Sequence, residues 1–214
     1  LFLDPDLLNR YDPRGQPTVQ SSPKLIVRII GIIPARYGST RFPGKPLAEI
    51  CGRPMIAHVI TNMLSSRAIT RMIVATDDER IAEVARTAGA ETIMTPKEGF
   101  VSGTDRVAWV ARELEAELIV NVQGDEPFVH PQMLADLWES FRRERTAVVG
   151  TLCHRISRRR DLWNRNVVKV VTDTQGRALY FSRSAIPYGE ADSDVAAIDR
   201  QGALWYKHVG IYMY

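Results

Sequence analysis

The sequence predicts an α/β fold with a mostly parallel β-sheet, helices on both faces of the sheet and a β-hairpin insertion. Between residues 25 and 152, runs rich in β-branched residues alternate with segments whose apolar residues recur at helical spacing. After residue 152 the alternation stops, and beyond residue 166 two strand-like runs flank the turn Asp173-Thr174-Gln175-Gly176. Acidic residues also follow two of the predicted strands, at the sheet edge where open α/β proteins bind ligands.

The predicted elements follow one another with short connections. Strands are expected at 25–31, 71–76, 91–94, 117–122 and 146–152, helices at 54–64, 79–89, 105–114 and 132–143, hairpin strands at 167–172 and 177–183, and a last strand at 205–214. Pro54 opens the first helix, and the Pro residue at 131 opens the fourth. His58 lies on a helix dominated by core residues and is expected to be structural rather than catalytic.

The composition is that of a globular protein and does not by itself indicate binding to nucleic acid. Of 214 residues, 45% are hydrophobic and 25% charged, and the net charge of +3 suits anionic small molecules. Residues 1–24, rich in turn formers, are expected to be a flexible extension before one domain at 25–214. The arginine-rich run 155–165 has no ribonucleoprotein or zinc-finger pattern, so a solvated basic face is expected.

Cysteine spacing and hydropathy bear on the compartment. Cys51 and Cys153 form neither a C-x-x-C pair nor a Cys/His metal pattern, which favours a reducing compartment and no zinc site. The apolar runs are shorter than the roughly 20 residues that cross a bilayer, and the first 24 residues contain three aspartates and no long apolar stretch. A cytoplasmic protein with no membrane partner is therefore expected.

The loop that follows the first strand is the strongest signal of function. Arg36, Arg41 and Lys45 supply positive charge, Gly38 and Gly44 allow unusual backbone torsions, and hydroxyls come from Ser39 and Thr40. Phosphate oxygens only accept hydrogen bonds, and they are bound by such cations together with backbone N–H groups. This pattern predicts a polyphosphate site; the alternative is a solvated basic loop with no ligand.

A P-loop is excluded by spacing. Five residues rather than four separate Gly38 from Gly44, and Pro46 stands where the motif requires a magnesium-binding Ser or Thr.

Two further segments are candidates for the same site. Ser102, Gly103, Thr104 and Arg106 lie at a predicted helix start, where N–H groups favour anions, although an ordinary N-cap explains the pattern equally well. Asp125 follows a predicted parallel strand, a position suited to a magnesium ligand, since Mg²⁺ takes one or two carboxylates plus phosphate oxygens. Its alternative is a type I turn with solvated acids.

Six motifs occur in order along the chain: Ile33-Pro34-Ala35-Arg36 through Pro43-Gly44-Lys45, then Ala75-Thr76-Asp77-Asp78, Ser102-Gly103-Thr104-Asp105-Arg106, Val122-Gln123-Gly124-Asp125-Glu126-Pro127, Tyr180-Phe181-Ser182-Arg183 and His208-Val209-Gly210-Ile211-Tyr212. As an ordered set they resemble the 3-deoxy-manno-octulosonate cytidylyltransferases, or CMP-Kdo synthetases, from about Leu25 to the last residue. The first loop alone is also shared with other nucleotidyltransferases, including CMP-sialic acid synthetases.

The resemblance implies a Rossmann-like nucleotidyltransferase fold and the conversion of CTP and Kdo to CMP-Kdo and pyrophosphate for lipopolysaccharide biosynthesis. Arg36, Lys45 and Asp125 would be the catalytic residues, with Asp125 holding Mg²⁺. The implied CTP-binding residues are Ala35, Arg36, Ser39, Lys45, Ser102, Gly103 and Arg106, and the implied Kdo-binding residues are Gln123, Arg183, His208 and Tyr212. The hairpin is expected to support a homodimer.

The resemblance also implies a further segment beyond Tyr214, with a second metal-binding Asp in a Gly-Val-Asp-Thr-Pro-like motif, so the domain is expected to lack its C-terminal part. Two alternatives follow from these observations. One is a cytidylyltransferase for another sugar acid, such as a sialic acid. The other is a nucleotide-binding module without catalytic activity.

Overall fold

A computed structural model of the chain describes residues 28–38, 42–188 and 205–214. These residues form two compact units: the first contains 28–38, 42–139 and 211–214, and the second contains 140–188 and 205–210. The predicted extension 1–24 and the predicted CTP-binding residue Ser39 lie outside the described residues.

The first unit is built on a parallel sheet. The strands of this unit are β1 (Ile29–Ala35), β2 (Glu49–Ile50), β3 (Arg53–Pro54), β4 (Arg71–Thr76), β5 (Glu91–Met94) and β6 (Leu118–Val122). The parallel order is β5-β4-β1-β6, with Ile32 of β1 opposite Ile73 on one side and Asn121 on the other. The end of β10 (Tyr206–Met213) adds an antiparallel strand beside β6, so the predicted mostly parallel sheet is confirmed.

Helices flank this sheet because β1 is apolar on both of its faces. The helices are α1 (Met55–Leu64), α2 (Glu79–Thr87), α3 (Gly103–Ala111) and α4 (Pro131–Arg143). Ile30 and Ile32 pack with Val107 and Val110 of α3, and the alternate residues Ile29 and Ile33 are also buried. Side chains alternate along a strand, so both faces of β1 are covered. None of the described helices combines the length and the hydropathy that a membrane span requires.

The second unit contains the predicted hairpin. Its elements are β7 (Gly150–Arg155), α5 (Arg159–Trp163), β8 (Lys169–Thr172), β9 (Ala178–Ser182) and the first residues of β10. β8 pairs antiparallel with both β9 and β10. Gly176 has a φ of 79° in the turn between β8 and β9, a torsion that favours glycine. Ile156, Leu162 and Trp205 form a small buried cluster.

Three predicted elements begin or end three or more residues away from their observed bounds. β1 continues to Ala35 instead of ending at Gly31; its register with β6 ends at Ile32, so Pro34 lies where a missing N–H is tolerated. The helix predicted at 105–114 spans Gly103–Ala111, because Ser102 caps it. The strand predicted at 146–152 spans Gly150–Arg155, since the bond from Ala147 N–H to the Glu144 carbonyl makes that segment a turn.

His58 makes a structural contact, as the sequence pattern around it predicted. Its Nε2 atom lies 2.9 Å from the carbonyl oxygen of Ile50, which ties α1 to the β2–β3 hairpin.

Candidate active site

A cavity of about 340 Å³ lies at the carboxyl ends of β1 and β6, within the first unit. Eight of the predicted site residues line it: Ala35, Arg36, Lys45, Ser102, Gly103, Arg106, Gln123 and Asp125. The other lining residues are Pro34, Pro46, Lys97, Phe100 and Gly124. Segments far apart in sequence therefore meet at the sheet edge where α/β proteins bind ligands.

The loop after β1 brings two cations to this cavity. Arg36 follows the last strand residue directly and is exposed, and Lys45 begins a short 3₁₀ helix, Lys45–Leu47. Gly44 precedes that helix with a φ of 70°, and its N–H donates to the Tyr37 carbonyl at 2.9 Å. The left-handed torsion at Gly44 turns the chain so that both ends of the loop face the same cavity.

Lys45 and Asp125 form an ion pair across the cavity. The Nζ atom of Lys45 lies 2.5 Å from Oδ2 of Asp125, and the two side chains are 38% and 48% exposed. Because the pair is open to solvent, it contributes little to stability. Both charges are therefore available to a ligand that offers them new partners.

The start of α3 has the ordinary N-cap that the sequence offered as the alternative to an anion site. The Ser102 hydroxyl accepts from Asp105 N–H at 3.2 Å, and the Asp105 carboxylate accepts from Ser102 N–H at 2.8 Å, which is a capping box. The side chain of Ser102 is thus committed to the helix. There is little room for a side chain at Gly103, since a Cβ there would lie 3.2 Å from Pro34 Cγ and 3.5 Å from Gln123 Oε1.

Arg106 is a buried cation in the wall of the cavity. Its side chain is 4% exposed and pairs with Asp77 at 2.9 Å, and it also donates to the Thr95 hydroxyl. Its guanidinium carbon lies 4.8 Å from the centre of the Phe100 ring. Arg106 therefore reaches the cavity already held by three neighbours, which a linear sequence does not reveal.

The residues implied for the sugar acid fall into both units. In the first unit Gln123 donates to the Asn121 side-chain oxygen at 2.9 Å, and Tyr212 lies opposite Asn121 on β10. The pKa of Tyr212 is raised by burial and further by Tyr214 and Glu126. Its hydroxyl therefore stays protonated at neutral pH and is able to donate a hydrogen bond.

Arg183 and His208 lie in the second unit. Arg183 Nη1 donates to the Arg165 carbonyl at 2.9 Å. His208 Nε2 lies 2.9 Å from the Thr151 hydroxyl, and its ring meets Phe181 edge-on at 5.0 Å between centroids. Burial lowers the pKa of His208 to about 4, so the imidazole is neutral at pH 7.

Three residues at or beneath the cavity were missed from the sequence. Lys97 and Phe100 lie in the loop before α3, which has no strand or helix period to orient its side chains. Asp77 was named only within the motif Ala75-Thr76-Asp77-Asp78, with no role of its own. Its bond to Arg106 joins positions 29 residues apart and depends on the tertiary fold.

This fold and this cavity define a class: an α/β protein that binds a phosphorylated ligand at the carboxyl ends of parallel strands. Four cations, a pocket-lining carboxylate and a helix start converge there. A family model described as cytidylyltransferase matches residues 30–214, so the chain belongs to the cytidylyltransferase family.

Named relatives are similar over most of the chain. The chain is 49% identical over 191 residues to 3-deoxy-manno-octulosonate cytidylyltransferase of Trichlorobacter lovleyi, covering 88% of this chain and 75% of the relative. It is 48% identical to the enzyme of that name from Marinobacter nauticus, covering 86% and 72%. A solved structure of CMP:2-keto-3-deoxy-manno-octonic acid synthetase complexed with CTP matches with a TM-score of 0.76 and 41% identity, covering 87% and 73%.

Proposed function

We propose that this chain activates Kdo with CTP, giving CMP-Kdo and pyrophosphate for lipopolysaccharide biosynthesis. The observation that carries the proposal is the cavity in which Arg36, Lys45 and Asp125 meet, in a chain that belongs to the cytidylyltransferase family. The named relatives support Kdo as the sugar acid.

The triphosphate of CTP is bound by the loop after β1 and by the start of α3. Arg36 and Lys45 neutralise phosphate charge, and the N–H groups of Gly103 and Thr104 bind the anion, as helix starts do. Ser102 acts by fixing the start of the helix through its capping box. Ala35 supplies the short side chain where the strand ends against the ligand.

Lys45 and Asp125 exchange partners when the nucleotide binds. Phosphate oxygens replace the Asp125 carboxylate as partners of the Lys45 ammonium. The carboxylate is then free to act as a metal ligand. A single carboxylate fits Mg²⁺, which commonly uses one or two carboxylates plus substrate phosphate oxygens, and no cluster of three His, Cys, Asp or Glu ligands occurs among the described residues. When bound, Mg²⁺ would neutralise the phosphates and polarise the α-phosphate.

In the second unit, the sugar acid is recognised by one cation and one neutral hydrogen-bonding group. Arg183 pairs with the carboxylate of Kdo, since a guanidinium binds planar anions with two parallel hydrogen bonds. His208 binds one of its hydroxyls. A neutral His208 suits this role, because it can both donate and accept a hydrogen bond.

The reaction is an in-line displacement at the α-phosphorus. The anomeric oxygen of Kdo loses its proton to solvent and forms the new P–O bond, while the bond to the bridging oxygen breaks and pyrophosphate leaves. Arg36 and Lys45 stabilise the charge that develops on the phosphates, and the site holds the two substrates in position. No protein nucleophile is needed.

The test measures pyrophosphate release from CTP and Kdo with Mg²⁺, and CTP binding by calorimetry. We expect release to require both substrates and Mg²⁺, and Asp125→Asn to lower it about a hundredfold. Asp136→Asn is the matched control, because Asp136 accepts from Gln132 on α4 and does not line the cavity.

Three outcomes separate the candidate functions. Faster release with a sialic acid than with Kdo would favour the other sugar acid. Tight CTP binding with no release, even from a chain extended by the C-terminal segment that the resemblance implies, would favour a nucleotide-binding module. A chain that neither binds CTP nor releases pyrophosphate would refute the proposal.

A homodimer in the cytoplasm completes the proposal. Leu179 and Tyr180 of β9 are 66% and 63% exposed, and such side chains on one hairpin suit contact with a second copy. Light scattering should give the mass of two chains, and Leu179→Glu should give the mass of one. The spacing of Cys51 and Cys153, which forms neither a C-x-x-C pair nor a metal pattern, favours a reducing compartment.

A further inference from the structure

Asp77 connects the two parts of the cavity wall. It follows the last residue of β4, and its side chain is 10% exposed. Its Oδ1 atom accepts from the backbone N–H of Tyr37 in the loop after β1, at 3.3 Å. Its Oδ2 atom accepts from Arg106 Nη2 on α3, at 2.9 Å. One carboxylate therefore holds both the loop that carries the cavity cations and the buried cation of α3.

The neighbouring residue supports the same loop from its other side. The Asp78 carboxylate accepts two hydrogen bonds from the Arg80 guanidinium, from Nε at 2.9 Å and from Nη2 at 2.7 Å. This fixes the Arg80 guanidinium 3.8 Å from the centre of the Tyr37 ring, within the range of a cation–π contact. The acid pair after β4 thus acts on Tyr37 at both its backbone and its ring.

Tyr37 in turn holds Gly44, the residue before Lys45. The Tyr37 carbonyl accepts from the Gly44 N–H at 2.9 Å, and a Cβ on Gly44 would lie only 3.0 Å from the Tyr37 ring. Arg36 directly precedes Tyr37, and Lys45 directly follows Gly44. A shift of Tyr37 would therefore move both exposed cations together.

We infer that Asp77 is a positioning residue for CTP: it sets the places of Arg36, Lys45 and Arg106 without touching the nucleotide. This inference rests on the proposed function. A cavity lined by cations binds a triphosphate tightly only if their positions are set before binding, because ordering them afterwards consumes binding free energy. None of the residues implied for Kdo belongs to this loop, so the effect should fall on CTP.

The decisive variant is Asp77→Asn. An amide of the same size keeps one acceptor oxygen, so it accepts from Tyr37 or from Arg106 but not from both. We expect the dissociation constant for CTP, measured by calorimetry without Kdo, to rise about tenfold, the equivalent of one lost charge-assisted bond. The KM for CTP should rise by a similar factor, while the KM for Kdo stays within about twofold.

Two companion variants separate positioning from general damage. Glu91→Gln removes the ion pair between Glu91 and Arg71 near the opposite end of β4, at 2.6 Å, and should leave CTP binding unchanged. Asp77→Glu keeps the carboxylate and should recover part of the lost affinity. If Asp77→Asn does not fold by circular dichroism, Arg80→Met decides: Arg80 is 59% exposed, and removing its contact with Tyr37 should weaken CTP binding about threefold.

The outcomes distinguish this inference from the proposed function. If the Asp77→Asn chain binds CTP as tightly as the unaltered chain, or raises the KM values for CTP and Kdo equally, the inference is overturned alone. Unchanged CTP binding by Arg80→Met, when Asp77→Asn is unfolded, also overturns it. An unaltered chain that does not bind CTP overturns both.

Discussion

Lys169 on β8 provides the sharpest test of how the second unit is held together. The residue is fully buried, and its ammonium donates to three backbone carbonyls: Asn164 at 3.0 Å, Val167 at 2.7 Å and Arg183 at 2.7 Å. Burial lowers the pKa of Lys169, and the nearby charge of Arg183 lowers it further. The proposed change is Lys169→Met, which keeps the apolar stem and removes the ammonium.

The expected loss follows from those three bonds. The Asn164 oxygen also accepts from the Val167 N–H at 3.0 Å, so it loses one of two donors. The Val167 and Arg183 oxygens lose their bonds to the ammonium, and a buried acceptor without its partner costs about 1–3 kcal/mol. Relief from burying a charge offsets part of this cost. The free energy of unfolding should fall by about 3 kcal/mol.

Urea unfolding followed by circular dichroism measures this change. Lys207→Met is the matched control, because Lys207 lies opposite Lys169 in the β8–β10 register but is 36% exposed, with Asp161 3.8 Å away. The control should cost less than about 1 kcal/mol. If both variants lower the free energy of unfolding equally, to within about 0.5 kcal/mol, the reasoning is wrong.

Three further predictions concern pH, the loop and the cavity. Burial lowers the pKa of His208 from 6.5 to about 4, so between these values only the unfolded chain takes up the proton. Stability should therefore fall by about 2 kcal/mol from pH 7 to pH 5, and His208→Asn should lose this dependence in urea titrations. Gly44→Ala should cost about 1–2 kcal/mol, because its φ is 70° and the Tyr37 ring is close; Gly38→Ala, with open space around it, should change the unfolding midpoint little. Lys97→Ala should weaken CTP binding about threefold in calorimetry and reduce its salt dependence; unchanged affinity would exclude Lys97 from the phosphate site.

Much of the fold was predictable because it depends on short-range patterns. The strands Arg71–Thr76 and Glu91–Met94 were predicted with their observed ends, since each contains β-branched residues and lies between helix ends and turn-forming residues. Boundaries failed where a local bond decided them. The bonds between Ser102 and Asp105 moved the start of α3, and the turn before Ala147 delayed β7.

The sequence by itself determined the α/β class, the loop rich in glycine and cations, and the residues that resemble a cytidylyltransferase, because residue type and spacing carry that information. Tertiary structure alone decided which groups share an environment. It paired Lys45 with Asp125 across 80 residues, buried Arg106 against Asp77, and enclosed Lys169 among carbonyl groups. Contacts of this kind depend on how strands are ordered in the sheet, and strand order is set by packing of the whole unit rather than by any local pattern.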